Sequence, residues 1–231
     1  MFKKIKLAYN IQLIDYYVFL ILSFTLPFGR NFFSPILFLW FILVLASYFV
    51  KKDFSFVKYK DPLFIPILFY LVFAISSLLT SELKVGLNEL QFKLPLLLVP
   101  LLYPTQRESY RQGFNDIMKA YVIGCVVASL FLFGYATYRS FSLVNSVWVF
   151  NPIPQYGWNS YFLGTEFSYL IHPSYLSLLL LFALLIVGLF TERWWMKGVV
   201  VRITVLFSTL ILIVSLIMLQ SRTGFLGFCI L

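Results

Sequence analysis

The chain has 231 residues, 61% of them hydrophobic and only 12% charged, with a mean hydropathy of +0.90 and a net charge of +9. Soluble domains carry about a quarter charged residues, so this composition excludes a water-soluble fold and predicts an all-α, polytopic membrane helix bundle with residues 1–231 as one transmembrane domain. The basic residues are scattered over short loops, with no dense patch and no RNA- or DNA-binding motif, which excludes nucleic acid as a partner. The abundant Phe and Tyr suit lipid-facing and interfacial positions, or the lining of a groove for a lipid tail.

The amino terminus, Met1-Phe2-Lys3-Lys4-Ile5-Lys6, is basic, but the apolar run behind it lacks a small-residue cleavage site. The first span therefore doubles as an uncleaved signal anchor. A helix needs about 20 residues to cross the hydrocarbon core, and the apolar runs predict seven spans, near 15–28, 32–50, 62–79, 94–103, 117–138, 173–190 and 203–219. The first is short unless it begins near Ile11. The fourth is the weakest, since it lies between Lys93 and Pro104 and contains Pro95 and Pro100. It spans only if extended upstream through Leu87, carrying Glu89 and Lys93; otherwise it is re-entrant or tilted.

Lys and Arg concentrate on the cytoplasmic side of membrane proteins. With the amino terminus inside and seven spans, 13 of the 18 basic residues fall on the cytoplasmic face. They are Lys3, Lys4, Lys6, Lys51, Lys52, Lys58, Lys60, Arg107, Arg111, Lys119, Arg193, Lys197 and Arg202. Arg30, Lys84, Lys93, Arg139 and Arg222 fall outside. Dropping the fourth span would send Arg193 and Lys197 outside as well, so the charge distribution favours keeping it. The longest loop, about 139–172, is then external. Its Asn145, Trp148, Asn151, Gln155, Tyr156, Trp158, Asn159 and Tyr161 admit two readings. Flat rings and amides suit a sugar-binding surface, and the same residues suit a loop lying on lipid headgroups.

Among the outer cations Arg222 leads. Its guanidinium abuts an uncharged span, where leaving it in hydrocarbon would cost roughly 2.5–3.5 kcal/mol, and its planar fork matches a phosphate or pyrophosphate. Ser221, Thr223 and Gly224 permit close approach and add hydroxyl donors. The alternative is an anchor that snorkels from a helix end. Lys93 stands four residues after Glu89, the spacing and order of a helical ion pair; its other reading is a cation holding a phosphate at the mouth of a cavity. Arg30, in Pro27-Phe28-Gly29-Arg30-Asn31, is a weaker site of the same kind. His172, the only histidine, opens a helix ahead of Pro173. It is a general-base candidate or a local cap, with Glu166 the one acid in its loop. Cys125 and Cys229 read as buried structural thiols, and no metal-ligand spacing occurs.

Three of these segments, by their order and spacing along the chain, carry a family likeness. Gln220-Ser221-Arg222-Thr223-Gly224 after an apolar helix resembles the Ser-Arg-x-Gly element of the O-antigen ligase and O-antigen polymerase superfamily. His172-Pro173-Ser174-Tyr175-Leu176-Ser177 resembles its His-Pro-x-Tyr helix opening, and Glu89-Leu90-Gln91-Phe92-Lys93-Leu94-Pro95 is similar to a segment before a proline-broken run. The resemblance implies a bacterial inner-membrane glycosyltransferase fold of about a dozen helices, its ligase core opening here near residue 203. Such enzymes move a glycan from undecaprenyl pyrophosphate to lipid A-core or another glycan on the periplasmic side, without metal or cofactor. Arg222 matches the arginine that engages the pyrophosphate. The family's later periplasmic loop, with a second arginine and a histidine, would follow Arg222, whereas Leu231 is the last residue here. On that comparison the chain is expected to be the amino-terminal part of a longer fold, inactive alone, and His172 does not inherit the family histidine's role. Two other readings stand beside it: a transporter or flippase for lipid-linked sugars, and a non-catalytic membrane subunit.

Overall fold

In lipid every backbone N–H and C=O must be satisfied within its own segment, so long apolar runs resolve as helices. The computed structural model describes residues 2–51, 57, 61–80, 82–144, 146–153, 160–195 and 198–230. Lys52, Lys58, Lys60, Lys197, Asn145 and the loop residues Pro154, Gln155, Tyr156, Gly157, Trp158 and Asn159 lie outside the described residues, as does the side chain of Cys229. The helices are α1 (Phe2–Thr25), α2 (Arg30–Lys51), α3 (Phe64–Leu78), α4 (Leu83–Lys93), α5 (Pro95–Leu102), α6 (Arg107–Gln112) and α7 (Phe114–Ser140). After a hairpin of β1 (Phe141–Val144) and β2 (Val147–Phe150) come α8 (Gly164–Phe167), α9 (Pro173–Trp195), α10 (Val199–Met218) and α11 (Arg222–Ile230). The protein is thus a mostly helical, multi-pass membrane protein.

Among the described residues six segments are long and apolar enough to cross a bilayer: Asn10–Phe28, Arg30–Val50, Leu83–Leu102, Phe114–Ser140, Pro173–Phe190 and Val199–Met218. The first begins at Asn10, the upstream start that a full crossing requires. The fourth run reaches membrane length only when extended upstream, as expected, while the third, expected to span, is the short one. α4 and α5 meet at Leu94 and together supply a membrane-length segment that carries Glu89 and Lys93. Pro95 stands in the first turn of α5, where its missing N–H removes no helical bond. α3 has only 15 residues, about 23 Å at 1.5 Å per residue, against a core of about 30 Å. Its start is delayed because Asp61 closes a turn: its carboxylate accepts the Leu63 N–H at 3.1 Å and its carbonyl accepts the Phe64 N–H at 2.9 Å.

The chain divides into two compact units. The first comprises Met1–Phe19 and Leu37–Phe114. Its centre is polar: the Tyr110 hydroxyl donates to Asp15 Oδ2 at 2.6 Å and accepts the Trp40 indole N–H at 2.7 Å, and all three side chains are buried. Phe19 stacks on Tyr110 with ring centroids 4.2 Å apart. A carboxylate withdrawn from water is costly unless it is hydrogen-bonded, and Tyr110 supplies that bond from the short helix α6. Burial first, and then the Asp15 carboxylate, hold the Tyr110 hydroxyl far above the usual phenol range, so it remains the donor. A second buried bond, from Gln106 Nε2 to Ser47 Oγ at 2.8 Å, ties the start of this segment to α2.

The second unit comprises Leu20–Ile36 and Asn115–Leu231. Its core is built on α7, α9 and α10, with Cys125, Leu132, Leu176, Leu180, Leu212, Leu216 and Leu219 buried together. The reduced Cys125 is a packing residue in this core, in keeping with the structural reading of its thiol. Across both units the remaining faces of the spans expose large apolar side chains, among them Phe38, Phe69, Leu189 and Leu210, as a lipid solvent allows.

Candidate functional site

α10 ends at Met218, and the chain turns through Leu219, Gln220 and Ser221 before α11 begins at Arg222. Gln220 has φ = 47°, a left-handed conformation usually left to glycine at helix ends and one that costs a non-glycine residue of order 1–3 kcal/mol. That turn buries Ser221 and leaves Arg222 exposed. Ser221 caps α11: its Oγ accepts the Gly224 N–H at 3.3 Å and its carbonyl accepts the Phe225 N–H at 2.9 Å. The Thr223 hydroxyl lies 2.9 Å from Ser221 Oγ.

The corner is fastened to α9 by the other motif read from the sequence. The single proton of Ser177 Oγ is shared between the Ser174 carbonyl oxygen at 2.9 Å and Ser221 Oγ at 3.0 Å. Ser177 is fully buried. The approach is close because residue 224 is glycine: a Cβ there would fall 2.6 Å from Ser177 Cβ and 2.9 Å from its hydroxyl oxygen. His172-Pro173-Ser174-Tyr175-Leu176-Ser177 and Ser221-Arg222-Thr223-Gly224, 44 residues apart at their joining serines, therefore form one unit of structure. The sequence names both motifs, but the Ser177–Ser221 contact between them is visible only in three dimensions.

Arg222 lies on a groove of about 720 Å³ whose walls are Ile213, Leu216, Ile217, Phe225 and Leu226, with Gln220, Ser221 and Arg222 as its polar side. Among the described residues no carboxylate pairs with the guanidinium. The remaining candidates are placed differently. Lys93, in the first unit, takes the ion-pair geometry, with Nζ 2.5 Å from Glu89 Oε2 and 4.8 Å from the centroid of the Phe73 ring. Arg30 is exposed at the first residue of α2. Its neighbour Gly29, at φ = 84°, lies so close to the Leu170 carbonyl that an added Cβ would come within 2.7 Å of it, which sets Arg30 beside the loop that leads to His172.

His172 is exposed and takes the capping role: its carbonyl accepts the Tyr175 and Leu176 N–H groups, and Nδ1 receives the Ser174 N–H at 3.4 Å. Glu166 does not orient it through an ion pair; its carboxylate lies 3.0 Å from Arg139 Nη2. The Arg139 guanidinium also sits over the Tyr161 ring, 4.3 Å from its centroid. This cluster, and the Asp15–Tyr110–Trp40 network, escape sequence reading. The one signal for the network is the acid itself, standing at the head of an apolar run.

No family model matches the chain, and no curated protein and no solved structure matches it. The functional assignment therefore rests on the residues and their geometry.

Proposed function

We propose that this protein resides in the bacterial inner membrane with its amino terminus in the cytoplasm, crosses seven times with α3 as the short crossing, and holds a glycan linked to undecaprenyl pyrophosphate on the periplasmic side, in the manner of the O-antigen ligases and polymerases. The observation that supports it is the Arg222 groove: a cation without a protein counter-charge among the described residues, at the polar end of an apolar channel along α10 and α11. A polyprenyl diphosphate has the matching parts, a long apolar tail and a compact anion. Ser221 and Thr223 flank the cation with hydroxyls, and the bond to Ser177 fixes the corner that presents it.

In the transfer such a donor undergoes, an acceptor hydroxyl on lipid A-core or another glycan attacks the anomeric carbon. The carbon–oxygen bond to the diphosphate breaks, and the hydroxyl proton passes to a base. Arg222 would stabilise the charge that grows on the departing diphosphate. The groove lining includes no carboxylate or imidazole, so this reading assigns the chain the donor-holding role and leaves the proton acceptor unassigned.

The test is binding of undecaprenyl pyrophosphate to the full chain in lipid nanodiscs. Arg222→Lys keeps the charge but loses the bidentate fork and is expected to weaken binding about tenfold, equivalent to about 1.4 kcal/mol. Arg222→Ala should weaken it further. Unchanged affinity in Arg222→Ala would refute the reading.

A further inference from the structure

From Ser140 to Thr165 the chain carries no Asp, Glu, Lys or Arg, an unusual composition for a loop bathed in water. Residues 141–150 of it are the hairpin, with Phe141 opposite Phe150, Ser142 opposite Val149, Leu143 opposite Trp148 and Val144 opposite Val147. Residues directly opposed in an antiparallel pair share a face, and neighbours along a strand alternate. One face therefore gathers Phe141, Leu143, Trp148 and Phe150, with the two Phe rings edge to face at 5.3 Å. The other carries the smaller Ser142, Val147 and Val149. Every one of these side chains is exposed, Trp148 to 70%. A two-stranded hairpin is marginal in water by itself, and one with an uncovered aromatic face needs something to cover it.

Continuity with α7 identifies what that is. Between Lys119 and Arg139 lie 19 uncharged residues, about 29 Å of helix at 1.5 Å per residue, close to the thickness of the hydrocarbon core. Arg139 thus stands at the hydrocarbon boundary, and β1 begins two residues beyond it. Arg139 is anchored there by Glu166 and Tyr161, and with Tyr138, Phe141 and Trp148 it lines a notch of about 560 Å³ on the larger face. The strand edges still need hydrogen-bonding partners, which the hydrocarbon core does not offer but the headgroup layer does. Aromatic rings concentrate in that layer.

We infer that the β1–β2 hairpin is a one-sided membrane-interface device: its Phe141, Leu143, Trp148 and Phe150 face is immersed in the headgroup layer of the leaflet where α7 emerges, while its Ser142, Val147 and Val149 face looks to water. The inference is independent of the glycan-transfer reading. It decides between the two readings of this loop in favour of lipid for the hairpin residues.

The test uses the full chain in phosphatidylethanolamine–phosphatidylglycerol vesicles doped with phosphatidylcholine brominated near the top of its acyl chains. The Trp148 signal is the difference between the unaltered chain and Trp148→Phe. Bromolipid should quench most of that signal, and aqueous iodide should leave it nearly intact. Moving the reporter to the other face, Trp148→Phe with Val149→Trp, should reverse the pattern. Leu143→Trp in the Trp148→Phe background provides a second reporter on the immersed face if the first is perturbed. Stronger quenching by iodide than by bromolipid at both 148 and 143 overturns the proposal. So does identical behaviour at 148 and 149, or protection from iodide that appears only when a soluble oligosaccharide is added.

Discussion

Two of the polar clusters that interrupt this greasy chain are built on opposite plans. In the first unit, the Tyr110 hydroxyl bonds both Asp15 and Trp40, and all three are buried with Phe19 stacked on Tyr110. In the second unit, Ser177 and Ser221 are also buried, but they support an exposed arginine on an open groove. A closed network makes its hydrogen bonds within the fold. An open one leaves a charge exposed on a groove. On the proposed function the difference separates architecture from recognition, even though both clusters place polar atoms among apolar helices.

The sharpest way to break that comparison is Tyr110→Phe. It removes a buried donor from Asp15 and a buried acceptor from Trp40 at once, each loss worth about 1–3 kcal/mol, so the chain should lose about 2–6 kcal/mol of stability. Unfolding in mixed micelles by SDS titration reads this directly. If the first cluster is purely architectural, lipid diphosphate affinity per folded molecule stays unchanged. A variant that is as stable as the parent but binds less would erase the distinction.

Gly224→Ala tests the open cluster from the packing side. The new methyl would land 2.6 Å from Ser177 Cβ, a clash that a Cβ atom cannot escape by rotating. Forcing an extra methyl into a packed contact costs about 1–3 kcal/mol. Here the loss of stability should come with a loss of binding, because the clash pushes α11 and Arg222 away from α9. Unaltered binding would show that the corner tolerates displacement.

The helical crossings were legible from hydropathy because long uncharged runs have no other stable form in lipid. The exceptions were local. Pro95 marked a weak run by composition, yet at the first turn of α5 it is compatible with a continuous segment, whereas the turn closed by Asp61 shortened α3, which looked ordinary. The hairpin escaped because its turn lacks the usual glycine: Ser146 takes φ = 63° in its place. Only the enrichment of Phe, Val and Trp in 141–150 signalled strands. At the candidate site Arg222, Ser221 and Thr223 could be named from their position after a span. The Lys93–Glu89 pair and the His172 cap were each one of two readings the pattern offered, and the structure takes both; what the pattern could not convey was that Ser177 fastens the corner. That contact depends on a partner that hydropathy does not register. The Asp15–Tyr110 bond joins residues 95 positions apart and leaves no periodic trace.

The smallest expected effect tests whether the two motifs of the open cluster act as one. Ser177→Ala removes a single hydroxyl while Ser221 keeps Thr223 and the Gly224 N–H, so it should cost only about 0.5–1.5 kcal/mol. It should not relieve Gly224→Ala, since the clash is with Cβ rather than with the hydroxyl alone. Ser177→Gly removes that Cβ, at a helix penalty of about 0.5–1 kcal/mol, and should recover much of what Gly224→Ala loses. The double variant Ser177→Gly, Gly224→Ala is then more stable than the sum of its parts by about 1 kcal/mol, within the range seen for contacting residues. Strict additivity in SDS unfolding would mean that α9 and α11 do not meet at these two residues, and the support for Arg222 would have to lie elsewhere.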